Sequence, residues 1–166
     1  MWLRGPVEGI APVLQPAAHA LLQARADVAS LAPSVPADQL WRDPGAASAG
    51  FHLLHLAGAL DRLFTYARDE ALTDAQKAAA RSESVPHPEL DGQALVDLVS
   101  TAVDRALAQL RATPADRVFD ARGVGRAQLP STVLGLLFHG AEHSVRHAGQ
   151  FISTVKIGAG PEVTDA

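Results

Sequence analysis

Seven histidines and no cysteine set the chemistry open to this chain. Three of them, His139, His143 and His147, recur at every fourth residue of "FHGAEHSVRHAGQF". On a helix, imidazoles at i and i+4 project the same way, and two of them can share one ion at about 2.0–2.1 Å. One helix cannot surround a metal, so a third ligand must come from another. The stretch "FHLLHL" offers His52 and His55. His55 shares a helical stripe with Phe51, Leu54 and Gly58, and His52 one with Leu56, Ala59 and Leu63. The wheel leaves both open. Gly58, one turn after His55, gives a neighbour or ligand room to come close. With no thiolate and only Met1 as a thioether, nitrogen and oxygen must hold any metal.

The three histidines of the row are not equivalent. At about 100° per residue, Leu134, Leu137, Phe138, Ala141, Val145, Ala148, Ile152 and Val155 form the main apolar stripe, away from the row. His139 falls beside Arg146 and Gln150 in the most polar arc, which predicts solvent exposure. His143 and His147 border a second apolar edge with Leu136. The bland alternative is that an i, i+4 pair arises by chance on a surface that tolerates histidine. The lone His19 and His87 read as structural or solvated, His87 as loop decoration between Pro86 and Pro88.

Two other motifs carry less. "HGAEH" matches the H-x-x-E-H pattern of inverted zinc peptidases, with Glu142 as general base. Only 23 residues follow His143, which leaves little room for a downstream ligand-bearing domain. "GVGR" lacks the lysine and setting of a phosphate loop and reads as a flexible turn.

The elements that must position these residues are helices. Alanine and leucine dominate and aromatics are 5% of residues. Helical periodicity runs over residues 13–32, 48–67, 91–111 and 131–157, with Ser48 an N-cap, "PSTV" a start and Gly158 a stop. The first and third connections each contain Pro-Ala-Asp and then an apolar pair, Leu40-Trp41 and Val118-Phe119. Each reads as a single turn whose pair plugs the bundle. "TDAQKAAARSESVPHPEL", between the second and third helices, reads as a polar surface segment. Four such helices imply an all-α four-helix bundle. The length fits one domain over residues 1–166, with a short lead at 1–12 and a tail at 159–166. Net charge is −4 and no basic run exists, so nucleic acid is not an expected partner. No apolar stretch approaches the roughly 20 residues of a membrane span, and the N-terminus lacks a signal-peptide layout. The expected location is cytoplasmic.

"GFHLLHLAGALDRLFTYA" and "LPSTVLGLLFHGAEHSVRHAGQF" resemble the two signature helices of DinB-like proteins, the damage-inducible-B and YfiT group. The resemblance runs from about Leu14 to Ile157. Its most specific part is "HSVRHAGQ" together with the histidine of "LLHLAG". It implies a metal triad of His55, His143 and His147, with no role for His52 or His139. It also implies an up-up-down-down bundle, commonly a homodimer, with a divalent ion such as zinc or nickel. Relatives include thiol transferases and isomerases that use bacillithiol, mycothiol or glutathione.

Three neutral imidazoles leave a coordination position open, as catalytic rather than structural sites do. An open position would acidify a water for hydrolysis, or a thiol for attack on an electrophile. The expected function is therefore a divalent-metal-dependent enzyme acting on a small molecule, a thiol-dependent S-transferase with a low-molecular-weight thiol cosubstrate. The alternatives are a metal-dependent hydrolase and a non-catalytic, metal- or ligand-binding dimeric bundle. Ligating histidines need acceptors for their outer ring nitrogens, and Glu142 and Gln150 are the candidates. No catalytic residue is assigned beyond this set.

Overall fold

The four periodic segments are helices. In the computed structural model, which describes residues 2–42, 45 and 47–158, they are α1 (Gln15–Leu31), α3 (Ala49–Ala67), α5 (Gly92–Ala112) and α6 (Val133–Gly158). Between them lie two short helices, α2 (Ala37–Leu40) and α4 (Asp74–Ser82), and two strands, β1 (Ala121–Val124) and β2 (Leu129–Thr132). The fold is mostly helical. Pro16 sits in the first turn of α1, where its missing N–H has no partner to lose. The Ser48 hydroxyl accepts from the Phe51 amide and caps α3. The expected tail at 159–166 lies outside the described residues.

Each long helix packs against two others: α3 against α6 and α5, and α1 against α6 and α5. The apolar faces close on one core in which Leu21, Leu53, Leu56, Leu60, Leu95, Leu110, Leu137 and Phe151 are all but fully buried. Each such side chain contributes about 1.5–3 kcal/mol of transfer free energy.

Four expectations are corrected by the packing. The segment after α3 is not merely polar surface. It holds α4, started by a capping box in which Thr73 and Gln76 satisfy each other's backbone amides. None of its residues is buried, and its only apolar residues are alanines, so no large apolar stripe announced it. Gln76 pins it to α3, donating to Asp61 at 2.6 Å and Thr65 at 2.8 Å. The "GVGR" region is not a free turn but the bend of an antiparallel hairpin, with Ala121 opposite Thr132 and Val124 opposite Leu129. Arg122 moors the hairpin by donating to the Ala67 carbonyl at the end of α3.

The inner face of α6 is also rotated from the expected stripe. Phe138 and Val145 are exposed, whereas Gly140, Ser144 and His147 are buried with Leu136, Leu137, Ala141, Ala148 and Phe151. Small residues let α3 approach: a Cβ on Gly140 would stand 3.0 Å from the Phe64 ring. The Ser144 hydroxyl is satisfied on the Gly140 carbonyl at 2.8 Å. Both Pro-Ala-Asp segments do form one helical turn, yet only half of each apolar pair plugs the core. Leu40 and Val118 are buried, Trp41 is half-buried and Phe119 is exposed.

Candidate metal centre

The site lies where α3 faces α6, the most extensive helix pairing in the fold. The rotation of α6 described above turns His147 into the interface and leaves His143 at its edge. One ring nitrogen from each of His55, His143 and His147 lies within 4.8 Å of the other two, an arrangement that could hold a metal ion. The ring centroids are 4.4 Å apart for His143 and His147, 4.6 Å for His55 and His147 and 5.1 Å for His55 and His143.

His55 Nε2 and His143 Nε2 are 3.0 Å apart. Two lone pairs at that separation need a proton or a cation between them. His147 turns its Nδ1 to the Nδ1 of His52 at 3.1 Å, which leaves its Nε2 for the centre. Burial, reinforced by the neighbouring imidazoles, pushes the His147 pKa down to about 4 and lowers that of His143. Burial, then His55, lowers that of His52 as well. Neutral imidazole is the form a metal requires. The donor set and its convergence, with His143 and His147 held neutral, thus fit a divalent ion that accepts nitrogen ligands.

One wall is apolar. The Phe51 ring stacks on His55 with centroids 5.3 Å apart, and meets His52 and His147 edge-on. The other side is more open: the His55 side chain keeps 24% of its surface exposed, that of His139 52%.

A carboxylate stands behind His55 that the sequence did not suggest. Glu83, just beyond α4, accepts from His55 Nδ1 at 2.8 Å. Arg62, two turns along α3, grips the same carboxylate, with Nη1 2.5 Å from Oε1 and Nη2 3.3 Å from Oε2. Burial alone would raise the Glu83 carboxyl, but the hydrogen bonds from His55 and Arg62 outweigh it and hold the pKa below the ordinary range. Glu83 follows a helix whose only apolar residues are alanines, and helical pattern does not say which partner a carboxylate past its end will reach.

Neither acceptor expected from sequence reaches a ring of the triad by a hydrogen bond among the described residues. Glu142 is bonded to Arg146 at 2.5 Å and lies 3.5 Å from His139 Nδ1. The Arg146 hydrogen bond lowers its pKa, as expected of an exposed ion pair rather than a base. Gln150 is exposed. The buried Nδ1 of His143 has no hydrogen-bond partner. His139 sits in the polar arc as the wheel indicated, and His52, which the wheel left undecided, is the buried neighbour of His147.

Comparison with known proteins agrees with this architecture. A crystal structure described as "the conserved protein of locus from Enterococcus faecalis" superposes with a TM-score of 0.73 at 15% identity. The match covers 91% of this chain and 99% of that one, a likeness of fold. No curated protein matches the sequence. A family model described as the DinB superfamily matches residues 20–151, which include every histidine of the cluster, and the chain belongs to that family.

Proposed function

We propose that this protein is a divalent-metal-dependent enzyme whose ligands are His55, His143 and His147, and that it transfers a low-molecular-weight thiol to a small electrophilic substrate. The observation that carries the reading is the convergence of three imidazoles, without a fourth histidine or carboxylate in the same group among the described residues. A three-ligand site with an exposed flank supports exchange of an outside ligand, which a closed structural site would not need. When bound, the ion, zinc or nickel, would lower the pKa of a group entering that position.

The chain's own residues supply the rest. Burial keeps His143 and His147 neutral and ready to bind. Phe51 covers one side of His55 and keeps water from that face. The carboxylates nearest the site are both committed, Glu83 to His55 and Arg62 and Glu142 to Arg146. The ion would acidify a bound water and a bound thiol alike, but the thiolate is the stronger nucleophile, and a hydrolase needs in addition a proton donor for its leaving group, which neither committed carboxylate offers. That supports the transferase over the hydrolase. By family resemblance we also infer an up-up-down-down order for the four long helices, a homodimer and a cytoplasmic location.

Metal analysis of the purified protein tests the site. Wild type should hold about one equivalent of zinc or nickel, and His55→Ala, His143→Ala and His147→Ala should each lose most of it. Full occupancy in all three variants would overturn the ligand set. Loaded protein incubated with glutathione, bacillithiol or mycothiol and monochlorobimane tests the reaction. Failure of every thiol to accelerate conjugation would remove the transferase reading and leave the hydrolase and the binding bundle.

A further inference from the structure

Glu83 lies outside the long helices, yet its carboxylate reaches a ring of the candidate centre through a gap in α3. His55, Gly58 and Arg62 are spaced so that they fall along one side of that helix. A Cβ on Gly58 would stand 2.2 Å from Glu83 Oε1 and 2.8 Å from Arg62 Nη1. The missing side chain is thus the notch through which the carboxylate passes to His55 Nδ1. Arg62 closes the notch from the far side and fixes the carboxylate with both of its terminal nitrogens.

An ionised carboxylate only accepts hydrogen bonds. In neutral His55 the proton must therefore sit on Nδ1, and Nε2 must carry the lone pair, facing His143. Without that acceptor a neutral imidazole can place its proton on either nitrogen, and only one placement leaves Nε2 free to bind.

We propose that Glu83 is the positioning residue for His55, and that α4 with the segment following it is a strap that docks on α3 to deliver it. This rests on the metal reading of the His55, His143 and His147 cluster. The strap's own contacts agree with the role. At its start Gln76 is fixed to Asp61 and Thr65 of α3. Beyond Glu83, Trp41 donates to the Leu90 carbonyl at 3.0 Å and holds the far end. No residue of α4 is buried, so polar contacts, not a core, decide whether the strap stays down. Docking and metal binding then favour each other, since coupling between two equilibria is reciprocal.

The test uses the full chain and zinc alone, titrated against a chromophoric chelator, with nitrogen-15 NMR of the imidazoles in the metal-free protein. Wild type should show His55 protonated at Nδ1. Glu83→Ala should scramble that tautomer and weaken zinc binding about 10–100-fold. Gly58→Ala leaves Glu83 in the chain but fills the notch, and should weaken binding in the same direction. Glu83→Gln restores an acceptor and should recover part of the loss, which a role in folding alone would not produce. Adding zinc to wild type should slow amide exchange across Asp74–Glu83. Wild-type affinity and an unchanged His55 tautomer in both Glu83→Ala and Gly58→Ala would overturn the proposal. If wild type itself binds neither zinc nor, in the same titration, nickel, the metal reading falls, while the metal-free tautomer measurement still decides the role of Glu83.

Discussion

His87 shows how far a single side chain can depart from its apparent triviality. Its Nδ1 lies 3.0 Å from Glu89 Oε1 and its Nε2 3.2 Å from the Ser82 carbonyl, and both partners are acceptors. Only the imidazolium donates from both nitrogens. The hydrogen bond to Glu89, then that to Ser82, raises the His87 pKa above its ordinary value. Its edge also meets Trp41, with centroids 5.8 Å apart, so it staples the loop after α4. A raised folded pKa gives a contribution fully present below the unfolded value of about 6.5 and lost as pH rises through the folded pKa. NMR titration should place His87 above 6.5 (about the unperturbed value), and Glu89→Gln should lower it. An unshifted midpoint in wild type would remove the staple. The stability at stake is small, because Glu89 is largely exposed and solvent screens the pair.

At the scale of elements, caps and close approaches decide more than propensity does. Thr73→Ala removes one half of the α4 capping box and should cost that helix about 1 kcal/mol. Because α4 buries nothing, the loss should appear as local opening. Hydrogen exchange should rise across Asp74–Ser82 while α3 and α6 stay protected. The start of α5 is the opposite case. A Cβ on Gly92 would stand 1.8 Å from the Ala32 carbonyl oxygen, and backbone cannot swing aside. Gly92→Ala should lower the urea midpoint by an amount corresponding to about 1–3 kcal/mol or more. A neutral result would mean that the turn after α1 yields freely.

At the scale of the molecule, a ligand that binds only the folded chain stabilises all of it. Zinc at roughly one hundred times its dissociation constant should add about 2.7 kcal/mol. For a domain of this size that corresponds to an increase in Tm of roughly 5–10 °C. Calorimetry with and without chelator should show the shift in wild type and its loss in His143→Ala. An equal shift in both would place the ion elsewhere. No helix among the described residues is long and apolar enough to cross a membrane. Analytical ultracentrifugation at several concentrations would test the inferred homodimer, and a monomer throughout would reject it.

The sequence by itself determined the four long helices, because each carries an apolar period that has to be buried. It also placed His143 and His147 on one side of their helix, because four residues separate two rings by one turn of any helix. Family resemblance selected His55 over His52, which the wheel could not do. Only the tertiary structure decided how α6 is rotated, because the small Gly140 and Ser144 permit a close approach that a count of apolar residues misses. It alone decided that Glu83, and not Glu142 or Gln150, stands behind a ring of the cluster. Glu83 lies 28 residues from His55 along the chain. Periodicity describes what a helix shows to its neighbours; it carries no information about which distant polar side chain a glycine notch admits.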